Sequence, residues 1–197
     1  MGRIVVTEFV SLDGVMEDPG GSEDFEHGGW VFETNRGEEG DKFKLDEALE
    51  SEALLLGRVT YEGFAESWPS RDGEFADKFN SMPKYVVSST LREPEWNNST
   101  LLKGDVVEEV SKLRQGADGD IVVHGSAQLV QTLVEHDLVD ELRLMVFPVV
   151  LGTGKRLLGD TSGKKRLRLA DSKTVGDGIA ILIYKPAGEE AKASDSN

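Results

Sequence analysis

The sequence contains no cysteine. Disulfides, thiol catalysis, iron–sulfur clusters and cysteine-ligated zinc are therefore excluded, and a reducing compartment fits. No run comes near the ~20 apolar residues that a membrane span needs. The opening MGRIVVTEFV is not a signal-peptide pattern, because Thr7 and Glu8 interrupt a short apolar stretch. Cytoplasmic placement is the expectation. Basic residues are also scarce: 22 Lys and Arg stand against 37 Asp and Glu, a net charge of −15. Such a surface repels polyanions, which argues against nucleic acid or an anionic membrane as the main partner. It does not prevent a local grip on phosphate by backbone N–H groups and one well-placed arginine. The three histidines (His27, His124 and His136) lack metal-ligand spacing, so no metal is expected. The Gly152-Thr153-Gly154-Lys155 stretch lacks the spacer of a P-loop.

What is present is a steady alternation of strand-like and helix-like segments over 197 residues, the size of one ordinary domain. Strands are expected at 3–12, 53–57, 84–89, 120–125, 139–151, 165–175 and 179–185. Helices are expected at 41–52, 58–68 and 73–82, after Asp105, and after Ser126, which is read as a cap. Gly176-Asp177-Gly178 reads as a hairpin turn. The expectation is an α/β domain over 1–186 with a mixed, mainly parallel sheet and an antiparallel C-terminal hairpin. Residues 187–197 (AGEEAKASDSN) hold no large apolar side chain and should form a disordered acidic tail. The long Gly- and Asp-rich connection at 13–40 is unusual inside a compact domain and points to function.

Three strands end in small or hydroxyl residues and lead towards a helix or loop: LLLG-RVTYE, YVVSS-TL and IVVHG-SAQL. In an open α/β sheet, ligands bind beyond the carboxyl ends of the strands. A helix that begins there offers free N–H groups and a positive dipole end to phosphate. Singly, Gly57 and Gly125 are also explained as tight turns and Ser126 as a helix cap. Together they suit a ligand with more than one phosphate.

The ordered set of motifs resembles the dihydrofolate reductase superfamily. LLLGRVTYEGF is similar to its apolar strand running into Gly-Arg-x-Thr and an aromatic. MPKYVVSSTL resembles its next strand, and IVVHGSAQLVQTLVEHDLVDELRLMVFPVVLGTG its late Gly-rich turn, αβ unit and Asp-Glu-Leu strand. The start, VTEFVSLDGVM, resembles the Ser-Leu-Asp-Gly opening of the reductase domain of riboflavin biosynthesis proteins. The match runs over about 3–185.

The resemblance implies a dihydrofolate reductase-like three-layer fold that binds NADPH. Arg58, with Ser88 or Ser89, would hold the adenosine 2′-phosphate through its planar fork. The helix starts at Gly57, Val59 and Thr60, and at Gly125, Ser126, Ala127 and Gln128, would hold the pyrophosphate, with His124 as a cofactor neighbour. The family's Gly-Gly pair is His124-Gly125 here. The loop 13–35 would lie over the nicotinamide as a lid.

Hydride transfer also needs a proton. The family's acid, counted back without a gap from Gly57-Arg58, falls at Asp41, which equally suits an exposed helix N-cap. Asp13 is the rival, and equally suits a turn before glycine. Trp30 either covers the substrate ring or pins the loop to the core. The implied substrate is a small heterocycle, either a ribosylaminopyrimidine as in riboflavin biosynthesis or a pterin. No deaminase-like segment lies within the sequence, so a stand-alone reductase is expected. Two other readings stay open: a non-catalytic NADP(H)-binding or sensor protein, and a homodimeric module whose apolar C-terminal strands serve assembly.

Overall fold

The computed structural model describes residues 1–188. All its strands join one eight-stranded sheet. In chain order they are β1 (Arg3–Ser11), β2 (Ser51–Gly57), β3 (Lys84–Val87), β4 (Ser99–Leu102), β5 (Asp120–Val123), β6 (Glu141–Phe147), β7 (Leu167–Val175) and β8 (Ile179–Pro186). Their order in space is β4-β3-β2-β5-β1-β6-β8-β7. The first six run parallel to their neighbours, while β8 is antiparallel to β6 and β7 to β8. This is the mixed, mainly parallel sheet with a C-terminal hairpin that the sequence predicts.

Parallel strands need cover on both faces, and their sequences are accordingly apolar at nearly every position. Leu54, Leu55 and Leu56 of β2 are all fully buried. Leu55 faces one side with Ile121 and Val123 of β5. There they meet Val110 of α4 (Val106–Gly116) and Leu129, Val130 and Leu133 of α5 (Ala127–Glu135). Leu54 and Leu56 face the other side. They pack with Ala48 of α1 (Gly37–Glu50), Tyr61 of α2 (Arg58–Ser67) and Phe79 of α3 (Glu74–Ser81). Each such leucine stabilises the fold by roughly 1.5–3 kcal/mol, and the two faces together give three layers. A third cluster, with Trp30, Phe147, Ile179 and Ile181, closes the hairpin end.

The hairpin turn carries a close approach. Gly176 has φ +51°, and a Cβ there would lie 2.0 Å from the Asn35 carbonyl oxygen. Only glycine lets the turn sit against the corner before α1.

Several elements differ from the sequence reading by a few residues, most strands being shorter than expected, and four differences have a local cause or matter to the layout. Helix α1 begins at Gly37 instead of 41, its first turn hidden by two glycines of poor helix propensity. Strand β2 begins at Ser51 instead of 53. Strand β4 was not expected; it is a four-residue edge strand with only half-buried or exposed residues, too short to show alternation. Strand β6 stops at Phe147 instead of 151, because Pro148 lacks the N–H needed to extend the ladder. Of the expected tail, residues 189–197 lie outside the described residues. Among the described residues no helix is long and apolar enough to cross a membrane.

Candidate functional site

Because β1, β2, β3 and β5 are parallel, their carboxyl ends share one edge of the sheet. A cleft of about 2240 Å³ opens there. Gly57, Arg58, Val59, Thr60, Ser88, Ser89, His124, Gly125, Ser126, Ala127 and Gln128 all line it. The fold therefore brings together every position that the sequence suggested for a cofactor, from three strand ends.

The corners after β2 and β5 are laced to each other. The Gly57 N–H donates to Ser126 Oγ at 2.9 Å, and the Ser126 N–H donates to Thr60 Oγ1 at 2.9 Å. The Ser126 hydroxyl in turn donates to the His124 carbonyl at 3.0 Å. Gly125 has φ +56°, and a Cβ on it would come within 2.7 Å of Thr60 Oγ1, so the two corners touch through glycine. The His124–Gly125 bond is trans, as are all peptide bonds of the described residues. Ser126 departs from its expected role. It occupies the N-cap position of α5 with φ 59° and ψ 46°, but its hydroxyl caps nothing there. Helix α2 likewise has no side-chain cap. Both helices thus start at the cleft without a side-chain acceptor on their first N–H groups, whereas Asp105 caps α4 through the Glu108 N–H at 3.0 Å.

Arg58 is half-exposed at the start of α2 and pairs with Glu62 at 2.8 Å. The Ser88 hydroxyl accepts the N–H groups of Leu91 and Thr90 at 2.9 and 3.1 Å and so holds the turn after β3. Arg71, Arg92 and Lys103 also line the cleft, which the sequence reading did not single out. An acidic chain has placed several of its few cations at this edge.

The loop after β1 is folded, not open. Asp18 is buried, with its carboxylate accepting the Ser22 N–H at 2.6 Å and its carbonyl the Gly29 N–H at 2.9 Å. Trp30 takes the second of its two expected roles. It is 1% exposed, its indole N–H donates to the Glu17 carbonyl at 2.9 Å, and its ring meets Phe147 edge-on at 5.4 Å. It pins the loop to the core and does not line the cleft. Its neighbour Phe32, 76% exposed, does line it.

The two candidate acids are separated. Asp13 does not line the cleft; it takes the turn-forming role. Its carboxylate accepts the Ser11 hydroxyl at 2.6 Å and the N–H groups of Gly152 and Leu151 at 2.8 and 3.2 Å. The Ser11 hydroxyl, followed by the Gly152 N–H, lowers its pKa to about 2. Asp41 does line the cleft, inside α1 and not at its cap; its side chain is 65% exposed and pairs with Arg36 at 3.0 Å.

The sequence reading passed over a second set of polar groups on the cleft wall: Thr7, Glu8 and Lys44. Lys44 Nζ donates to Thr7 Oγ1 at 2.8 Å and to Glu47 Oε2 at 2.5 Å. Glu47 Oε1 takes Arg143 at 3.3 Å, and Arg143 continues to Glu141 at 2.6 Å. Burial works to raise the Glu47 carboxyl, but the bound cations Lys44 and Arg143 hold it below the usual range. His124 faces Phe64 and Phe79, with ring centroids 6.3 and 5.3 Å away. Desolvation there, reinforced by Lys44, lowers its pKa to about 3. The available signal was the pair of polar residues inside the apolar strand VVTEFV.

The RibD C-terminal domain family matches residues 3–181. The chain belongs to that family. This is a reductase-type family, and the dihydrofolate reductase-like fold read from the sequence agrees with it. Among relatives, the chain is 29% identical over 187 residues to the uncharacterized protein YyaP of Bacillus subtilis, covering 92% of this chain and 94% of that protein. Among solved structures it is similar to a putative riboflavin biosynthesis protein from Shewanella sp. PV-4. The TM-score is 0.75 at 23% identity, over 94% of this chain and 99% of that one. A pyrimidine reductase-like protein from Corynebacterium diphtheriae gives a TM-score of 0.61 at 12% identity, over 95% and 92% of the two chains. At these identities the structures share the fold. The RibD C-terminal fold thus puts the laced corner between β2 and β5 at its cleft.

Proposed function

We propose that this chain is an NADPH-dependent reductase of a pyrimidine- or pterin-type heterocycle. The observation that carries the reading is the laced corner: two helix starts without side-chain caps, joined through Gly57, Gly125, Thr60 and Ser126, at the mouth of a large cleft. The donor set fits a dinucleotide. Backbone N–H groups at Val59, Thr60, Ala127 and Gln128 suit a pyrophosphate. Glycine at 125 lets it approach closely. Arg58, which lines the same cleft as Ser88 and Ser89, suits a terminal phosphate, because a guanidinium grips phosphate oxygens with parallel N–H donors.

A bound reduced nicotinamide would supply the hydride. The chain's own part is to orient the two rings, exclude water and supply a proton. Phe32 from the folded loop, Arg36 and Asp41 from the start of α1, and the Thr7–Glu8–Lys44 group would surround the substrate. The loop 13–35 acts as a lid anchored at Trp30, with Phe32 at its inner surface. The cytoplasm, which the cysteine-free chain fits, is its proposed setting.

The test is separate fluorescence titration with NADPH and NADH, followed by NADPH oxidation assays with 5-amino-6-(5-phosphoribosylamino)uracil and with 7,8-dihydropterins. NADPH should bind more tightly than NADH, and one substrate class should be reduced. Absence of NADPH binding would overturn the reading. Binding without oxidation of either class would leave a cofactor-binding protein in place of a reductase.

A further inference from the structure

One ionisable group on the cleft wall has no part in the cofactor cradle. Glu8 stands on the same face of β1 as Ile4, Val6 and Val10, all members of the apolar core. An apolar side chain would complete that stripe, and a carboxyl breaks it. Glu8 is 7% exposed and lines the cleft. Its Oε1 is buried with no hydrogen-bond partner. The Gly125 N–H, from the corner that would hold the pyrophosphate, pulls the same carboxyl the other way, towards the charged form.

The charges around Glu8 are committed to one another. From α1, Lys44 is bound to Glu47 at 2.5 Å and to Thr7 at 2.8 Å. From β6, Arg143 takes the other oxygen of Glu47 at 3.3 Å. His124, at the end of β5, carries no charge near neutral pH, its pKa lowered to about 3. Glu8 therefore has no cation of its own, and a buried carboxyl in that position keeps its proton. Burial pushes it well above the usual carboxylate range, against the opposing pull of the Gly125 N–H and Lys44.

We propose that Glu8 is the proton donor of the cleft, its buried carboxyl giving its proton to the substrate nitrogen during reduction of a C=N bond. The proposal rests on the reductase reading above. The substrate carbon accepts a hydride from the reduced nicotinamide, forming C–H. The π pair moves to nitrogen, which forms N–H with the Glu8 proton. The nicotinamide is oxidised by two electrons, and the Glu8 carboxylate regains a proton from cleft water. Glu8 suits the task better than Asp13, which lies outside the cleft, or Asp41, which is exposed and paired with Arg36.

Infrared difference spectra of the full chain at pH 7 test this directly. The wild type should show a protonated carboxyl band that Glu8→Gln removes and that shifts when NADPH is added. With whichever of the aminopyrimidine or dihydropterin probes the wild type reduces, Glu8→Gln should lower turnover by about 10²–10⁴-fold, with NADPH affinity changed by less than about threefold. Glu8→Asp should restore part of the rate with a shifted alkaline limb of the pH profile, which a structural role would not produce. NADPH binding by a wild type that lacks the band overturns the role of Glu8 alone. So does a band that Glu8→Gln leaves in place, or full turnover in Glu8→Gln. No NADPH binding by the wild type overturns the reductase reading, and the role of Glu8 with it.

Discussion

Ser126 Oγ accepts the Gly57 N–H at 2.9 Å across a sequence separation of 69 residues. This bond ties the strand end that launches α2 to the one that launches α5. It fixes the spacing of the two helix starts proposed to share one pyrophosphate. Ser126→Ala should leave the Gly57 amide unpaired in a half-buried corner, at a cost of about 1–2 kcal/mol. In a chain of this size each kcal/mol lowers Tm by about 2–4 °C. NADPH affinity should fall by about tenfold as the corners separate. Melting and titration of the variant measure both, and an unchanged value for each would show the bond to be idle.

The sheet was legible because its central strands are apolar runs punctuated by glycine, and the hairpin because Gly176-Asp177-Gly178 permits little else. The cleft edge proposed for the cofactor was legible for the same reason: Gly57-Arg58 and Gly125-Ser126 are local signals. Ser126 shows where local reading stops. Its position before a helix predicts a cap, but a contact 69 residues away takes its hydroxyl instead. Trp30 and Asp13 each had two readings that only the tertiary partners separate, Phe147 and Glu17 for the first and the 151–152 backbone for the second. Glu8 was visible as a polar intrusion in β1, but its lack of a cation depends on α1, β5 and β6 together.

Arg58 and Glu62 lead to a prediction about cofactor choice. The pair is half-exposed at 2.8 Å and contributes little stability. Arg58→Ala should remove most of the preference for NADPH over NADH, about ten- to a hundredfold, as expected for a lost charged hydrogen bond. Glu62→Gln frees the guanidinium and should raise NADPH affinity with NADH unchanged. Parallel titrations decide it, and equal binding of the two cofactors by wild type would remove Arg58 from the 2′-phosphate.

Asp13 and Asp41 should respond differently to the same replacement. Asp13 is held ionised, its pKa lowered to about 2 by the Ser11 hydroxyl and the Gly152 N–H, so it has no proton to give near neutrality. Asp13→Asn should loosen the tie to 151–152, lower Tm and leave kcat per folded molecule close to wild type. Asp41→Asn should leave Tm unchanged, because the carboxylate is exposed, and act on substrate KM. Loss of turnover in a well-folded Asp13→Asn variant would return the proton to Asp13.

His124 and Glu8 should give the fold opposite responses to pH. The folded pKa of His124 is lowered to about 3, below the unfolded value of about 6.5. Above pH 6.5 both states are neutral and the full stability is present. As pH falls towards 3, the unfolded chain binds a proton that the folded chain refuses, and stability drops by up to about 1.4 kcal/mol per pH unit. Between pH 6.5 and 5, above the ordinary carboxylate range, this loss is mainly from the imidazole, so His124→Gln should flatten Tm there. Glu8 has a raised folded pKa. Its contribution is present below the unfolded carboxyl value and is lost as pH rises through the folded one. Glu8→Gln should therefore be at least as stable as wild type at pH 8. Melting curves from pH 8 to pH 5 read both effects. Parallel acid loss in wild type and His124→Gln would mean that the folded cleft accepts a charged imidazole. A Glu8→Gln variant less stable than wild type at pH 8 would mean that the carboxylate finds a partner there.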